Sequence, residues 1–169
     1  MSDLSEHAIE RLLAGRTVVR GTVAWDERAP RVRTRTSVDN EPGEPLELEM
    51  HVSRRRPWHY TIVLLWAKRP IKRLDVRGSH TNVCDGSRQR WRSQTHKHAY
   101  TDRYELAQAY DPDDIPPTPS DQVLPDEYRR LFEAFCQECG IDLATSGRIL
   151  RLTRARSPQW RAPHEHRSV

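Results

Sequence analysis

The chain of 169 residues contains no long hydrophobic run. No apolar stretch approaches the ~18 residues that a spanning helix needs, which argues against a membrane protein. Cysteine is scarce. Three thiols cannot form a fully paired disulfide framework, so a disulfide-stapled secreted domain is not expected and a reducing, cytoplasmic setting is. The opening MSDLSEHAIERLL lacks the basic-then-apolar order of a secretory signal. No internal repeat is visible. Hydrophobic residues reach only 36% and mean hydropathy is −0.87, yet five Trp and five Tyr can build a core, so wholesale disorder is not expected. One α+β domain is expected over residues 1–156, with 157–169 as a disordered tail.

Charge is segregated along the chain. Residues 20–103 carry 18 Lys/Arg against 10 Asp/Glu, residues 104–147 carry 2 against 10, and residues 148–169 carry 6 against 1. A basic body beside an acidic flank suits a polyanionic partner, with the acidic block covering that surface or meeting a second partner. The same counts also suit a chain that charge merely keeps soluble.

Periodicity gives the elements. Asp3 with Glu6 reads as a capping box, and Leu4, Ala8, Ile9, Leu12 and Leu13 then share one helical face until Gly15. Alternation marks strands at 17–25, 31–38, 46–52, 58–66, 71–77 and 95–101. Pairing 31–38 with 46–52 sets Arg31, Arg33 and Arg35 beside Glu47, Glu49 and His51, and such cross-strand pairs contribute ~0.2–1 kcal/mol each. These arginines therefore read first as structural. The run WHYTIVLLW is apolar on both faces in its second half, as in a central strand. Residues 111–125 are too proline-rich for helix or strand. Pro125, Asp126 and Glu127 then open a second helix, along which Tyr128, Leu131, Phe132, Phe135, Cys136 and Cys139 recur at helical spacing until Gly140. Cys136 and Cys139 fall in its last turn and read as core. Residues 148–154 read as a last strand or helix. The expected architecture is an antiparallel meander of five to six strands with an N-terminal and a C-terminal helix.

Polar density peaks at 73–100, RLDVRGSHTNVCDGSRQRWRSQTHKHAY. Here Arg73, Asp75, Arg77, His80, Asn82, Asp85, His96, His98 and Tyr100 fall on two short strands around a loop turned by Gly78 and Gly86. Two chemistries use such a set. In metal-independent RNA cleavage, His80 and His98 act as acid and base, Arg73 or Arg77 holds the phosphate, Asp75 orients a His or Arg, and Tyr100 positions a base. Arg88, Arg90, Trp91 and Arg92 then form a mobile binding loop, joined by Arg54, Arg55, Arg77 and Lys97 on a nucleic-acid surface. In metal binding, His96 and His98 on one strand face offer two ligands, and His80 with Asp85 or Cys84 completes a tetrahedral set, so zinc is a candidate although no cofactor is required by the first reading.

The pattern Arg73-x-Asp75, Gly78-Ser79-His80-Thr81-Asn82, Asp85-Gly86, His96-x-His98-x-Tyr100 resembles a family of uncharacterised bacterial mobile-element proteins and is more loosely similar to TumE-type toxins of toxin–antitoxin modules. The helix-then-meander layout also resembles ribonucleases of the barnase–colicin–RelE type. These resemblances imply a mobile-element or antiviral-defence setting, RNA as the preferred nucleic acid, and a protein partner such as an antitoxin or a larger effector complex. The leading expectation is thus a metal-independent endoribonuclease. The alternatives are a non-catalytic RNA- or DNA-binding subunit of a larger, CRISPR-like defence complex, and a metal-dependent hydrolase.

Overall fold

A computed structural model describes residues 4–19, 25–26, 31–117 and 121–143. Helix α1 (Glu6–Ala14) is followed by strands β1 (Thr17–Val19), β2 (Trp25–Asp26), β3 (Arg31–Asn40), β4 (Leu46–Ser53), β5 (Tyr60–Trp66), β6 (Arg69–Cys84) and β7 (Ser87–Ala99). Helix α2 (Glu127–Glu138) and strand β8 (Ile141–Asp142) close the described chain. The protein is α+β, with two helices as expected. Its sheet is larger than a five-to-six-strand meander and is mixed. The order is β7-β6-β5-β4-β3-β1-β8, with β2 also pairing β3. The run β3 to β7 is the antiparallel meander, whereas β1 pairs β8 in parallel through Thr17↔Ile141 and Val18↔Asp142. Two residues after the Gly140 turn (φ 67°) are too few to carry a periodicity, so β8 left no signal in the sequence.

One face of the sheet and both helices share a single apolar core. Leu48, Met50, Ile62, Leu64 and Leu74 meet Ile9 and Leu12 of α1 and Leu131, Phe132, Phe135 and Cys136 of α2. Ser5 caps α1, its hydroxyl accepting from the Ala8 amide at 3.2 Å, and Asp3 of the expected capping box lies outside the described residues. Cys136 and Cys139 are buried in this core, and burial pushes both thiols up, that of Cys139 to about 12, with the neighbouring thiol of Cys139 also acting on Cys136.

The other face is polar. Because β-strand side chains alternate, the residues excluded from the helix side line up across the strands. One row runs Arg33, His51, Thr61, Asp75, His96, and the next runs Arg35, Glu49, Val63, Arg73, His98. Arg35 pairs with Glu49, as the alternation of the two strands implies. No helix among the described residues is long and apolar enough to cross a membrane. The segments 148–154 and 157–169 lie outside the described residues.

The largest departure from the sequence reading is in 78–95. These residues do not form a loop: β6 and β7 run on as one long ribbon to the turn at Asp85 and Gly86. The ribbon is interrupted by register shifts between Asp75 and Gly78 and between Gly78 and His80. Arg77 (φ 52°) and Ser93 (φ 50°) are left-handed there, one on each strand.

Candidate functional site

The interrupted ribbon brings His80 and Trp91 over the polar face. The His80 ring lies 4.6 Å from that of His96 and 5.4 Å from that of His98, centroid to centroid, and the Trp91 indole stacks on His96 at 4.3 Å. The turn side of β6 and the strand side of β7 therefore meet at one point. The approach is close because residue 78 is glycine. A Cβ there would sit 2.8 Å from His96 Cε1 and 3.0 Å from Asp75 Cβ.

Asp75 is the hub. Its Oδ2 lies 3.5 Å from Nε2 of His96, 3.5 Å from Nε2 of His98, and 4.0 Å from Nδ1 of His80. One donor atom from each of the four residues falls within 4.8 Å of all the others. The atoms that face away are each held. Thr61 Oγ1 donates to Asp75 Oδ1 at 2.8 Å, His96 Nδ1 reaches the Gln94 carbonyl at 2.9 Å, and His98 Nδ1 reaches the Leu106 carbonyl at 2.7 Å. A carbonyl only accepts, so both Nδ1 atoms carry a proton, and each ring turns its Nε2 toward Asp75. The Arg73 guanidinium closes the rim, its Nη2 donating to His98 Nε2 at 2.8 Å and lying 3.0 Å from Asp75 Oδ2.

Two imidazole nitrogens converging on one carboxylate oxygen call for positive charge between them, from ring protons or from a metal ion. Burial alone raises the Asp75 carboxyl. His96 and His98 when protonated, Arg73 and the Thr61 hydroxyl more than reverse this and hold it well below the usual carboxylate range. Burial, then the neighbouring His96, lowers the His80 imidazole and favours its neutral form, the form that ligates. Five buried polar atoms around the cluster have no hydrogen-bond partner among the described residues: Arg73 Nε, His80 Nε2, Asn82 Nδ2, Trp91 Nε1 and His96 Nε2. A tetrahedral ion with bonds of ~2.0–2.1 Å has ligand–ligand edges of about 3.3–3.4 Å. The two 3.5 Å separations match that edge. The residues present therefore fit zinc or a similar divalent metal, with the outer atoms of three of the four ligands already anchored.

Other residues expected at this site lie elsewhere. Arg77, expected on phosphate, is 1% exposed and points to the helix side, where it forks onto Glu127 with two bonds of 2.8 Å. Lys97, expected on nucleic acid, is 3% exposed and paired with Asp114 and Glu138, because the strand alternation sends it away from His96 and His98. Tyr100 lies beyond the end of β7, packs against the core and donates to the Leu4 carbonyl at 3.4 Å. Trp91 is 4% exposed, in a strand rather than a mobile loop. Its neighbours Arg88, Arg90 and Arg92 are exposed, as are Arg54 and Arg55 before β5. Two residues escaped the sequence reading. Thr61 could have been found, since alternation against Tyr60 and Ile62 assigns it to the polar face. Glu127 could not, because nothing local says that the first turn of α2 is buried.

No family model matches the chain, and neither the curated proteins nor the solved structures contain a significant relative.

Proposed function

We propose that this protein is a divalent-metal-dependent hydrolase of nucleic-acid phosphodiesters, with RNA the preferred substrate, and that Asp75, His80, His96 and His98 hold the metal. The observation that carries this reading is the convergence of two imidazole Nε2 atoms, from rings oriented by Gln94 and Leu106, on one oxygen of a buried carboxylate. Asp75, His96 and His98 form the tight side of the site. His80, more distant and 30% exposed, stands at its mouth. When bound, the ion would act as a Lewis acid on water and on a phosphoryl oxygen. Arg73 at the rim offers a cation to the phosphate, and the exposed Arg54, Arg55, Arg88, Arg90 and Arg92 add a sequence-independent attraction for the backbone.

The metal-independent acid–base reading has less support. His98 is fully buried with both ring nitrogens engaged, so a ribose hydroxyl has no route to it. A toxin–antitoxin or defence setting, a protein partner and a cytoplasmic location remain part of the proposal. The test is incubation of the purified chain with single-stranded RNA and DNA, with EDTA and after re-addition of Zn²⁺, Mn²⁺ or Mg²⁺. The expected result is cleavage that EDTA abolishes, that one of these ions restores, and that is absent in Asp75→Ala and His96→Ala. Cleavage that persists in EDTA, or a protein that binds none of the ions, overturns the proposal.

A further inference from the structure

The Arg73 guanidinium uses an electron pair that the metal needs. A guanidinium only donates, so His98 Nε2 meets Arg73 with its single lone pair while Nδ1 gives its proton to the Leu106 carbonyl. That lone pair accepts from Arg73 Nη2 at 2.8 Å, and the same Nη2 lies 3.0 Å from Asp75 Oδ2. A metal bonded to His98 and Asp75 and the guanidinium in this position exclude each other. The present position of Arg73 is also incomplete, because its Nε is buried with no hydrogen-bond partner among the described residues. The side chain is about one-third exposed, so it has room to leave toward solvent.

Resting on the metal reading above, we infer that Arg73 is a built-in counter-ion that the metal displaces, and that the displaced guanidinium becomes the anion-binding group of the loaded site, taking an oxygen of a phosphoryl group. Metal-free, the guanidinium neutralises Asp75 and fills the His98 lone pair. Loaded, the ion performs both tasks, and the planar fork of Arg73, freed at the rim, has the two parallel N–H donors that suit a phosphate. Metal entry and anion binding are thereby coupled: the protein binds metal less tightly than its four donors permit, and the difference buys an anion site that exists only when the metal is present.

The test uses the full chain stripped with chelator and titrated with Co²⁺, read by its visible absorption, for the wild type and Arg73→Met. Removing the competing charge-assisted bonds should tighten Co²⁺ binding about ten- to a hundredfold. Inorganic phosphate added to the Co²⁺-loaded proteins should perturb the spectrum, with the half-saturating concentration about tenfold higher in Arg73→Met. Arg73→Lys, which keeps the charge without the planar fork, provides the same two readouts if the Met variant fails to fold, with smaller changes in the same directions. Absence of Co²⁺ binding in all three proteins overturns the metal reading itself. Co²⁺ bound equally tightly or more weakly in the variants overturns the displacement alone, and an unchanged phosphate response overturns the anion role.

Discussion

Strand β6 carries two buried polar networks two residues apart, and they are built on opposite principles. On the helix side, Arg77 meets Glu127. Glu127 Oε1 accepts from Tyr60 Oη and Arg77 Nη1, both at 2.8 Å, and Oε2 accepts from Arg77 Nη2 at 2.8 Å and from the Leu124 amide at 3.0 Å. Arg77 Nη1 also donates to the Trp58 carbonyl at 3.0 Å. Each carboxylate oxygen of Glu127 is used twice. On the polar side, Asp75 faces the Nε2 atoms of His96 and His98, and five buried polar atoms of β6 and β7 have no hydrogen-bond partner among the described residues. A satisfied network fixes geometry, here the seating of α2 on the sheet. An unsatisfied one at similar burial persists only where something else completes it. The left-handed residue Arg77 separates the two, sending its own side chain to the helices while Asp75 stays behind.

This contrast predicts different responses to damage. The largest effect belongs to the closed network. Arg77→Ala or Glu127→Ala leaves a buried charge without its partner and should cost about 3–5 kcal/mol in urea unfolding. The cost of Glu127→Gln should depend on pH. Burial raises the Glu127 carboxyl, but the bonds from Arg77, Leu124 and Tyr60 prevail and hold it below its ordinary value. The stabilisation is therefore complete above the unfolded pKa, ~4.3, and is lost as pH falls through the lower folded value. The stability gap between wild type and Glu127→Gln should narrow with acidification, and a gap that widens would contradict this assignment.

The open network should instead gain from what is added to it. At a free Zn²⁺ concentration a hundredfold above its Kd, the wild type should be stabilised by ~2.7 kcal/mol, an effect that EDTA reverses and that His96→Ala lacks. A thermal scan with and without the ion measures it. Gly78→Ala pushes a methyl group against the His96 ring and should cost about 1–3 kcal/mol, while weakening metal binding more than tenfold. Unchanged metal affinity in that variant would show that the close approach of β6 does not shape the site. Smallest of all, replacing Arg88, Arg90 and Arg92 together by Ser should change stability by less than about 0.5 kcal/mol per site, as these side chains are exposed. It should lower the salt dependence of RNA binding measured by fluorescence anisotropy.

Much of the frame was legible because its residues obey simple periods. The alternation in RVRTRTSV and LELEMHV gives the β3–β4 face assignment and sets the arginine row beside the glutamate row, and the spacing of Leu131, Phe132, Phe135 and Cys136 gives the buried side of α2. The proximity of His80 to His98 was an assumption of the sequence reading, and it arises from the register shifts around Gly78. Two kinds of information were not in the pattern. A period of two survives only while the backbone stays extended, and the left-handed Arg77 and Ser93, neither a glycine, reset the count on both strands beside Gly78. For that reason Trp91 turned inward unannounced and the ribbon was mistaken for a loop. The partners of Arg77 and His98 were hidden for another reason: Glu127 lies 50 residues away, and the Leu106 acceptor is a backbone carbonyl, which no side-chain pattern encodes.

The stacking of Trp91 on His96 has a practical consequence. An indole in face contact with a ligand ring is an optical probe installed by the fold, and a paramagnetic ion such as Cu²⁺ held by that imidazole would quench its emission at short range. Occupancy could then be followed by light in the unlabelled protein, with Trp91→Phe as the silent control.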